Sequence, residues 1–255
     1  MPAGPIPPVA VVSGGGTGIG RATAAALAGD GMDVVIIGRR ADVLRAAADE
    51  INRGRPTGIG EVSWVRADVS DPAEVAEAAD VIRQRHPAVD AVVSNAGGSV
   101  PAGPDLPSLA TAWMESYRKN VLTAVLLTSA LLPMMRRPGG RVIIVGSRVA
   151  ITGGASPPYV AAKAALNGWV LSLATQLGPE GITANVVAPG YTAGTELLTG
   201  RMPAERHHRI VAGIAAGRAA QPSEIAAVIR FLASEEASFV SGHVLGVDGG
   251  SLPVG

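Results

Sequence analysis

The stretch Val9-Ala10-Val11-Val12-Ser13-Gly14-Gly15-Gly16-Thr17-Gly18-Ile19-Gly20-Arg21 decides the fold. Its first four residues are apolar without interruption, the pattern of a strand covered on both faces rather than of one with a wet side. The glycines that follow let the backbone turn sharply. A helical pattern then begins at about Ile19. A strand that runs through a tight turn into a helix is the opening of a βαβ unit.

The same alternation continues along the chain. Short runs rich in valine and isoleucine predict strands at Val9 to Val12, Asp33 to Ile37, Val62 to Ala67, Ala91 to Ser94, Arg141 to Val145, Thr183 to Val187 and Val244 to Val247. Alanine-rich helical stretches fall between them. Asp71-Pro72 supplies an N-cap and a first-turn proline, and Gln221-Pro222-Ser223-Glu224 starts a later helix. Together these predict the α/β class: a doubly wound Rossmann fold with a seven-stranded parallel sheet and helices on both faces. No repeat, charge block or long linker divides the 255 residues, which read as a single domain with residues 1–8 as a flexible lead-in. The longest apolar stretch, Val121 to Met135, is too short to span a bilayer comfortably and carries Thr123, Thr128, Ser129 and Pro133, so it predicts a buried helix.

Composition narrows the function classes. Zero net charge gives no polyanion-binding surface, and few aromatics argue against stacked nucleic-acid recognition, so neither nucleic acid nor membrane is expected as a partner. With no cysteine, disulfides, thiolate metal sites and a cysteine nucleophile are excluded. The start of the chain lacks the basic region of a signal peptide, and the cytoplasm is the expected compartment. Trp64, Trp113 and Trp169 read as packing residues. His207-His208 reads as a solvated pair, since adjacent histidines point to different sides of a helix and no third ligand is near, so no metal is expected.

The glycine loop has a chemical use. Backbone amides at a helix N-terminus, approached closely because glycine has no side chain, cradle a pyrophosphate, so Gly14, Gly16, Thr17, Gly18, Ile19 and Gly20 are expected to bind a dinucleotide. The second strand then ends Ile36-Ile37-Gly38-Arg39-Arg40. A carboxylate that would grip free ribose hydroxyls is absent between Val34 and Arg40. Two guanidinium groups stand where a 2′-phosphate could be held, which favours NADP(H) over NAD(H). The alternative is that Arg39 and Arg40 are solvated residues ahead of the next helix.

Two lysines stand against nineteen arginines, and one of them follows Tyr159 by one helical turn in Ser156-Pro157-Pro158-Tyr159-Val160-Ala161-Ala162-Lys163. Prolines suit a first turn, so Tyr159 and Lys163 share a helix face. A neighbouring ammonium and the helix N-terminus both favour the tyrosinate, which predicts a lowered phenol pKa and a general acid able to work near neutral pH. On its own, such a pair is also common on ordinary helix surfaces.

Taken together, Gly14, Gly18 and Gly20, the turn Ser94-Asn95-Ala96-Gly97, Asn120, Ser147, Tyr159 and Lys163 resemble the short-chain dehydrogenase/reductase family, and in particular its 3-oxoacyl-acyl-carrier-protein reductase-like members. The likeness extends to Asp68-Val69, Asn185 to Gly190 and Val247-Asp248-Gly249-Gly250, nearly the whole chain. It implies that Asp68 and Val69 border the adenine, and that Asn95, Ala96 and Gly97 support the sheet near the cofactor. Pro189, Gly190 and Thr192 would pass beside the nicotinamide carboxamide. Ser147 would bond the substrate carbonyl oxygen, Tyr159 would deliver the proton, Lys163 would bind the nicotinamide ribose and tune Tyr159, and Asn120 would hold a water in a proton path. Three departures stand out. Ser13 replaces the usual threonine, Ser94 replaces the usual asparagine, and the interval from Ser147 to Tyr159 is one residue short.

The activity implied is NADP(H)-dependent interconversion of a ketone or aldehyde with an alcohol, on 3-oxoacyl thioesters or other apolar ketones. Alternatives are an enoyl-thioester reductase, a dehalogenase-like relative, which would carry arginine at position 163, and a non-catalytic NADP-binding sensor. A homotetramer is implied, built through Asn120 to Met135 and Tyr159 to Leu177. The substrate pocket is expected from Gly98 to Pro107, Arg148 to Pro158 and Tyr191 to Ala212, with Leu197, Leu198, Met202 and Ile210 as an apolar cover.

Overall fold

The computed structural model describes residues 7–53, 60–195 and 203–251. The expectation of a flexible residue 1–8 segment therefore falls almost wholly outside the described residues. Strands β1 (Val9–Ser13), β2 (Asp33–Gly38), β3 (Val62–Arg66), β4 (Ala91–Ser94), β5 (Arg141–Val145), β6 (Thr183–Pro189) and β7 (Val244–Val247) occupy all seven expected places. They form one sheet in the order 3-2-1-4-5-6-7, every pairing parallel.

Continuous apolarity has the expected cause, since every residue of β1, β4, β5 and β6 is buried. Successive side chains point to opposite faces. Val9, Val11, Val35 and Ile37 enter one core, whereas Ala10, Val12, Val34 and Ile36 enter the other. Helices α1 (Gly18–Gly29) and α2 (Ala41–Asn52) pack on the second face. Helix α3 (Pro72–Arg85) packs on the first. Burying a Leu27 or an Ile82 fully contributes roughly 1.5–3 kcal/mol each, so two such layers outweigh the weak helix propensity of the β-branched residues.

Local signals hold at the termini. Asp71 accepts from the amides of Ala73 at 2.8 Å and Glu74 at 3.0 Å, capping α3. Glu224 closes a capping box on Gln221 at 2.8 Å.

The stretch Val121 to Met135 departs from the single buried helix expected. Helix α4 (Leu106–Tyr117) passes into a π-helical turn, Arg118–Leu122, then into α5 (Thr123–Leu131), and a 3₁₀ turn at Leu132–Met134 ends it. Pro133 cannot donate to the ladder and stops α5. Only one face of α5 is buried, through Ala124, Leu127 and Leu131.

The chain then forms a four-residue helix α6 (Val149–Thr152), the long α7 (Pro157–Leu177), α8 (Ala204–Ala212) and α9 (Pro222–Ala233). Helices α5 and α7 cover the same face as α3, and α9 covers the other. Among the described residues no helix is long and apolar enough to cross a membrane.

Strand order reverses between β1 and β4. Loops leaving the carboxyl ends of those two strands diverge to opposite sides and leave a crevice, the position where doubly wound sheets bind ligands.

Candidate active site

The crevice holds a cavity of about 640 Å³ lined by loops from the carboxyl ends of the strands. Its floor is the glycine loop. Gly14 and Gly18 have φ of +64° and +51°, a backbone region open mainly to glycine. Thr17 precedes α1 without using its side chain as a cap, so the first-turn amides have no side-chain partner there. The Ser13 hydroxyl accepts from the amides of Asn95 at 2.9 Å and Ala96 at 3.0 Å. Asn95 Nδ2 returns a bond to the Ser13 carbonyl at 3.0 Å. Serine therefore keeps the link between β1 and β4 that a threonine hydroxyl would make. Ser94 lies 3.3 Å, hydroxyl to hydroxyl, from Thr128.

Most of the expected cofactor residues line this cavity: Gly14, Gly16, Thr17, Gly18, Ile19, Arg39, Arg40, Asp68, Asn95, Ala96, Gly97, Pro189, Gly190 and Thr192, with Val69 among them. Gly20 does not. A Cβ there would sit 2.2 Å from the Gly14 carbonyl oxygen and 2.6 Å from Asn95 Nδ2, so Gly20 serves the close packing of α1 on the loop. Asn120 also stands behind the lining. Its amide accepts from the Gly98 N–H at 3.0 Å and donates to the carbonyls of Gly98 and Ser116 at 2.9 Å each. The π-turn that carries it makes this reach possible, as π-bulges at functional sites commonly do.

At the end of the cavity beside Arg39, burial raises the Asp68 pKa, but hydrogen bonds from Ser70 outweigh it. The Oγ and N–H of Ser70 donate at 2.7 and 2.9 Å, and with Arg39 and Arg118 they hold the carboxyl below its usual range. Asp68 thus serves its own turn as well as the cavity. No carboxylate from β2 lines the cavity beside Arg39 and Arg40.

At the other end Ser147, Tyr159 and Lys163 come together from β5 and α7. Ser147 lies beside Tyr159 on the cavity wall, and its side chain opposes the effect of burial on the phenol. The shortened interval between them is taken up by α6 and by Gly153 and Gly154, both at positive φ. No residue of the Arg148 to Pro158 loop lines the cavity, which corrects the expectation that it would. Instead Arg148 forms an ion pair with Asp248 at 3.2 Å and donates to the Ser251 carbonyl at 2.9 Å, tying the loop to the Asp248-Gly249-Gly250 turn.

The expected lowering of the Tyr159 pKa is also corrected. Burial pushes the phenol up, and only the Ser147 side chain opposes it. Lys163, 4% exposed, turns its ammonium to the Val145 carbonyl at 2.8 Å, and burial lowers its own pKa to about 8. A charge shared with a strand carbonyl and stripped of water does less for its neighbour than helix spacing alone suggests.

Other expectations resolve more simply. Leu197, Leu198 and Met202 lie outside the described residues, and Ile210 is half-buried on α8 away from the lining. His207 is bonded through Nδ1 to the Tyr191 hydroxyl at 2.7 Å rather than merely solvated. Trp113 is 44% exposed on α4, unlike Trp64 and Trp169, which pack on the cores. Lys119, Arg118 and Glu115 also line the cavity, although no sequence motif marks them. The scarcity of lysine that pointed to Lys163 applied equally to Lys119.

A dinucleotide fits what is present: glycines where its backbone-side approach would be closest, donors at a helix start, and five cationic side chains against two carboxylates on the walls.

Comparison with known proteins agrees with this architecture. A family model described as enoyl-(acyl carrier protein) reductase matches residues 14–251. Cis-4-hydroxycyclohexanecarboxylate dehydrogenase of Sinomonas cyclohexanicum is 40% identical over 249 residues, covering 96% of this chain and 97% of that one. The 3-oxoacyl-[acyl-carrier-protein] reductase FabG of Escherichia coli (strain K12) is 34% identical over 249 residues, covering 96% and 98%. Among solved structures, a blue fluorescent protein from a metagenomic library, in complex with NADPH, superposes with a TM-score of 0.84 at 35% identity, covering 95% of this chain and 97% of that one. A short-chain type dehydrogenase/reductase from Mycobacterium ulcerans reaches 0.89 at 30% identity, covering 96% and 89%. With its sheet order, its crevice at the β1/β4 divergence and likeness over nearly its full length, the chain belongs to the short-chain dehydrogenase/reductase family of oxidoreductases.

Proposed function

We propose that the chain interconverts a ketone or aldehyde and an alcohol with NADP(H), using Ser147, Tyr159, Lys163 and Asn120. The observation that carries this reading is the placing of the Ser147 and Tyr159 hydroxyl residues side by side on the same cavity as the glycine loop. When bound, the nicotinamide supplies or accepts a hydride. During reduction negative charge develops on the carbonyl oxygen, and the two hydroxyls lining the cavity are the donors that would stabilise it. The phenol of Tyr159 delivers the proton, and its raised pKa keeps it protonated at neutral pH. Lys163 binds the nicotinamide ribose, Asn120 braces Gly98 beside it, and the remaining lining residues named above hold the dinucleotide.

Preference for NADP(H) is supported by Arg39 and Arg40 on the cavity wall and by the missing carboxylate at the end of β2. The two relatives named above act on a ring alcohol bearing a carboxylate and on a 3-oxoacyl thioester. Both classes are candidate substrates. The enoyl reductase description of the family model keeps reduction of a conjugated thioester as the second reading. The serine and tyrosine pair favours carbonyl chemistry, since it offers donors to an oxygen. Assembly into a tetramer is supported by an apolar face on α4, where Leu106, Met114 and Tyr117 are 80%, 71% and 47% exposed. That face lies one element earlier than the helix first expected.

The test is loss of NADPH and NADH absorbance with 3-oxoacyl thioesters, cyclic ketones, aldehydes and enoyl thioesters, for the wild type and Tyr159→Phe. Carbonyl turnover that falls at least about 10²-fold in the variant, with NADPH binding kept, supports the reading. Turnover confined to enoyl thioesters, or a variant as active as the wild type, refutes it. NADPH binding without turnover points to a sensor.

A further inference from the structure

Both lysines of the chain line the cavity, against three of its nineteen arginines. Lys163 is held by Val145. Lys119 is different, because among the described residues its ammonium makes neither a hydrogen bond nor an ion pair. Its neighbour Arg118 is already satisfied by Glu115 at 3.1 Å and by Ser70. The stem of Lys119 lies against Gly98, where a Cβ would come within 3.2 Å of Cε and 3.5 Å of Nζ. Gly98 is itself clamped through both backbone polar atoms by Asn120. Lys119 is therefore a half-buried residue on the cavity wall whose ammonium has no ion-pair partner among the described residues. Such a charge gains most from an anionic partner.

We propose that Lys119 is an anion subsite of this cavity, its ammonium taking a negatively charged oxygen of the bound ligand. The oxygen belongs to a phosphate of the dinucleotide or to a carboxylate of the substrate. The assignment rests on the reading of the cavity as a dinucleotide and carbonyl site, and it adds a specificity residue to that site. Lysine suits the place as a compact point charge on a flexible stem, where a planar guanidinium would need a broader acceptor.

Three calorimetric titrations test it on wild type, Lys119→Met and Lys119→Arg. NADPH is titrated into the free protein. Cis-4-hydroxycyclohexanecarboxylate, and separately its carboxamide, is titrated into protein saturated with NADP⁺. A charge-assisted contact predicts about ten-fold weaker binding of one anionic probe in Lys119→Met, with only part of the loss restored in Lys119→Arg. Loss in the NADPH titration assigns the phosphate. Loss for the acid but not the carboxamide assigns the carboxylate. Affinities in Lys119→Met all within about two-fold of wild type overturn the Lys119 assignment alone. A wild type that binds neither NADPH nor NADH overturns the dinucleotide reading and this proposal with it.

Discussion

The ammonium of Lys163 donates to the carbonyl oxygen of Val145 at 2.8 Å, so a buried charge pins α7 to the end of β5. Holding that charge has a cost. Burial lowers its pKa from 10.5 to about 8, so between those values the unfolded chain binds more protons than the folded one and stability rises with pH. Below about pH 8 the penalty is fully present. Relative to Lys163→Met, the cofactor-free wild type should gain roughly 3 kcal/mol between pH 7 and pH 10.5. Urea unfolding of both proteins across that range measures it, and parallel pH profiles would contradict the buried-charge account.

Direction of turnover should follow the Tyr159 proton. A phenol raised by burial is protonated through the neutral range, which suits carbonyl reduction. Alcohol oxidation needs the phenolate and should rise with pH above neutrality while reduction falls. Initial rates in both directions from pH 6 to 10 check this, and an oxidation rate that is flat or falls with pH would contradict it.

Ser13 is 1% exposed and its hydroxyl serves two amides of the β4 loop. Ser13→Ala leaves both donors without that acceptor and should destabilise by about 2 kcal/mol or more. Ser13→Thr should stay within about 0.5 kcal/mol of wild type if the methyl group is accommodated. Denaturant midpoints of the two variants decide it.

Two glycines of α1 should respond oppositely to alanine. At Gly20 a methyl group would meet the Gly14 carbonyl, so Gly20→Ala should cost about 1–3 kcal/mol and weaken NADPH binding. At Gly29 nothing lies within 4 Å, and alanine should stabilise by about 0.5–1 kcal/mol. Thermal unfolding and cofactor titration of both test the pair.

Arg39→Ala and Arg40→Ala should separate the two cofactors. Loss of a bidentate phosphate partner raises the Kd for NADPH about ten-fold or more and leaves that for NADH within about two-fold. Equal losses for both dinucleotides would remove the 2′-phosphate role.

What was legible in the sequence follows from where the forces are local. Strands such as Arg141–Val145 announce themselves because burial on both faces demands unbroken apolarity, and the Asp71 cap because its partners lie two and three residues ahead. The glycine loop was readable for the same reason. Contacts made across the fold left no such mark. Arg148 gives no hint in its neighbours that it will meet Asp248. The Tyr159 pKa was misjudged because helix spacing fixes which residues share a face but not which acceptor an ammonium chooses. Trp113 faces outward because α4 stands beyond the core, a fact of packing rather than of residue type.

The π-turn at Arg118–Leu122 acts as a phase shifter between two helices. Helix α4 directs Trp113, Met114 and Tyr117 outward, while α5 sends Ala124, Leu127 and Leu131 inward. Removing one residue from the turn to make it regular would rotate everything after it by about 100° and swing the α5 stripe out of the core. The widened turn that lets Asn120 reach Gly98 thus also sets the angular register of the next helix. Length changes at this point should be far less tolerated than substitutions, and the site and the core it rests on must change together or not at all.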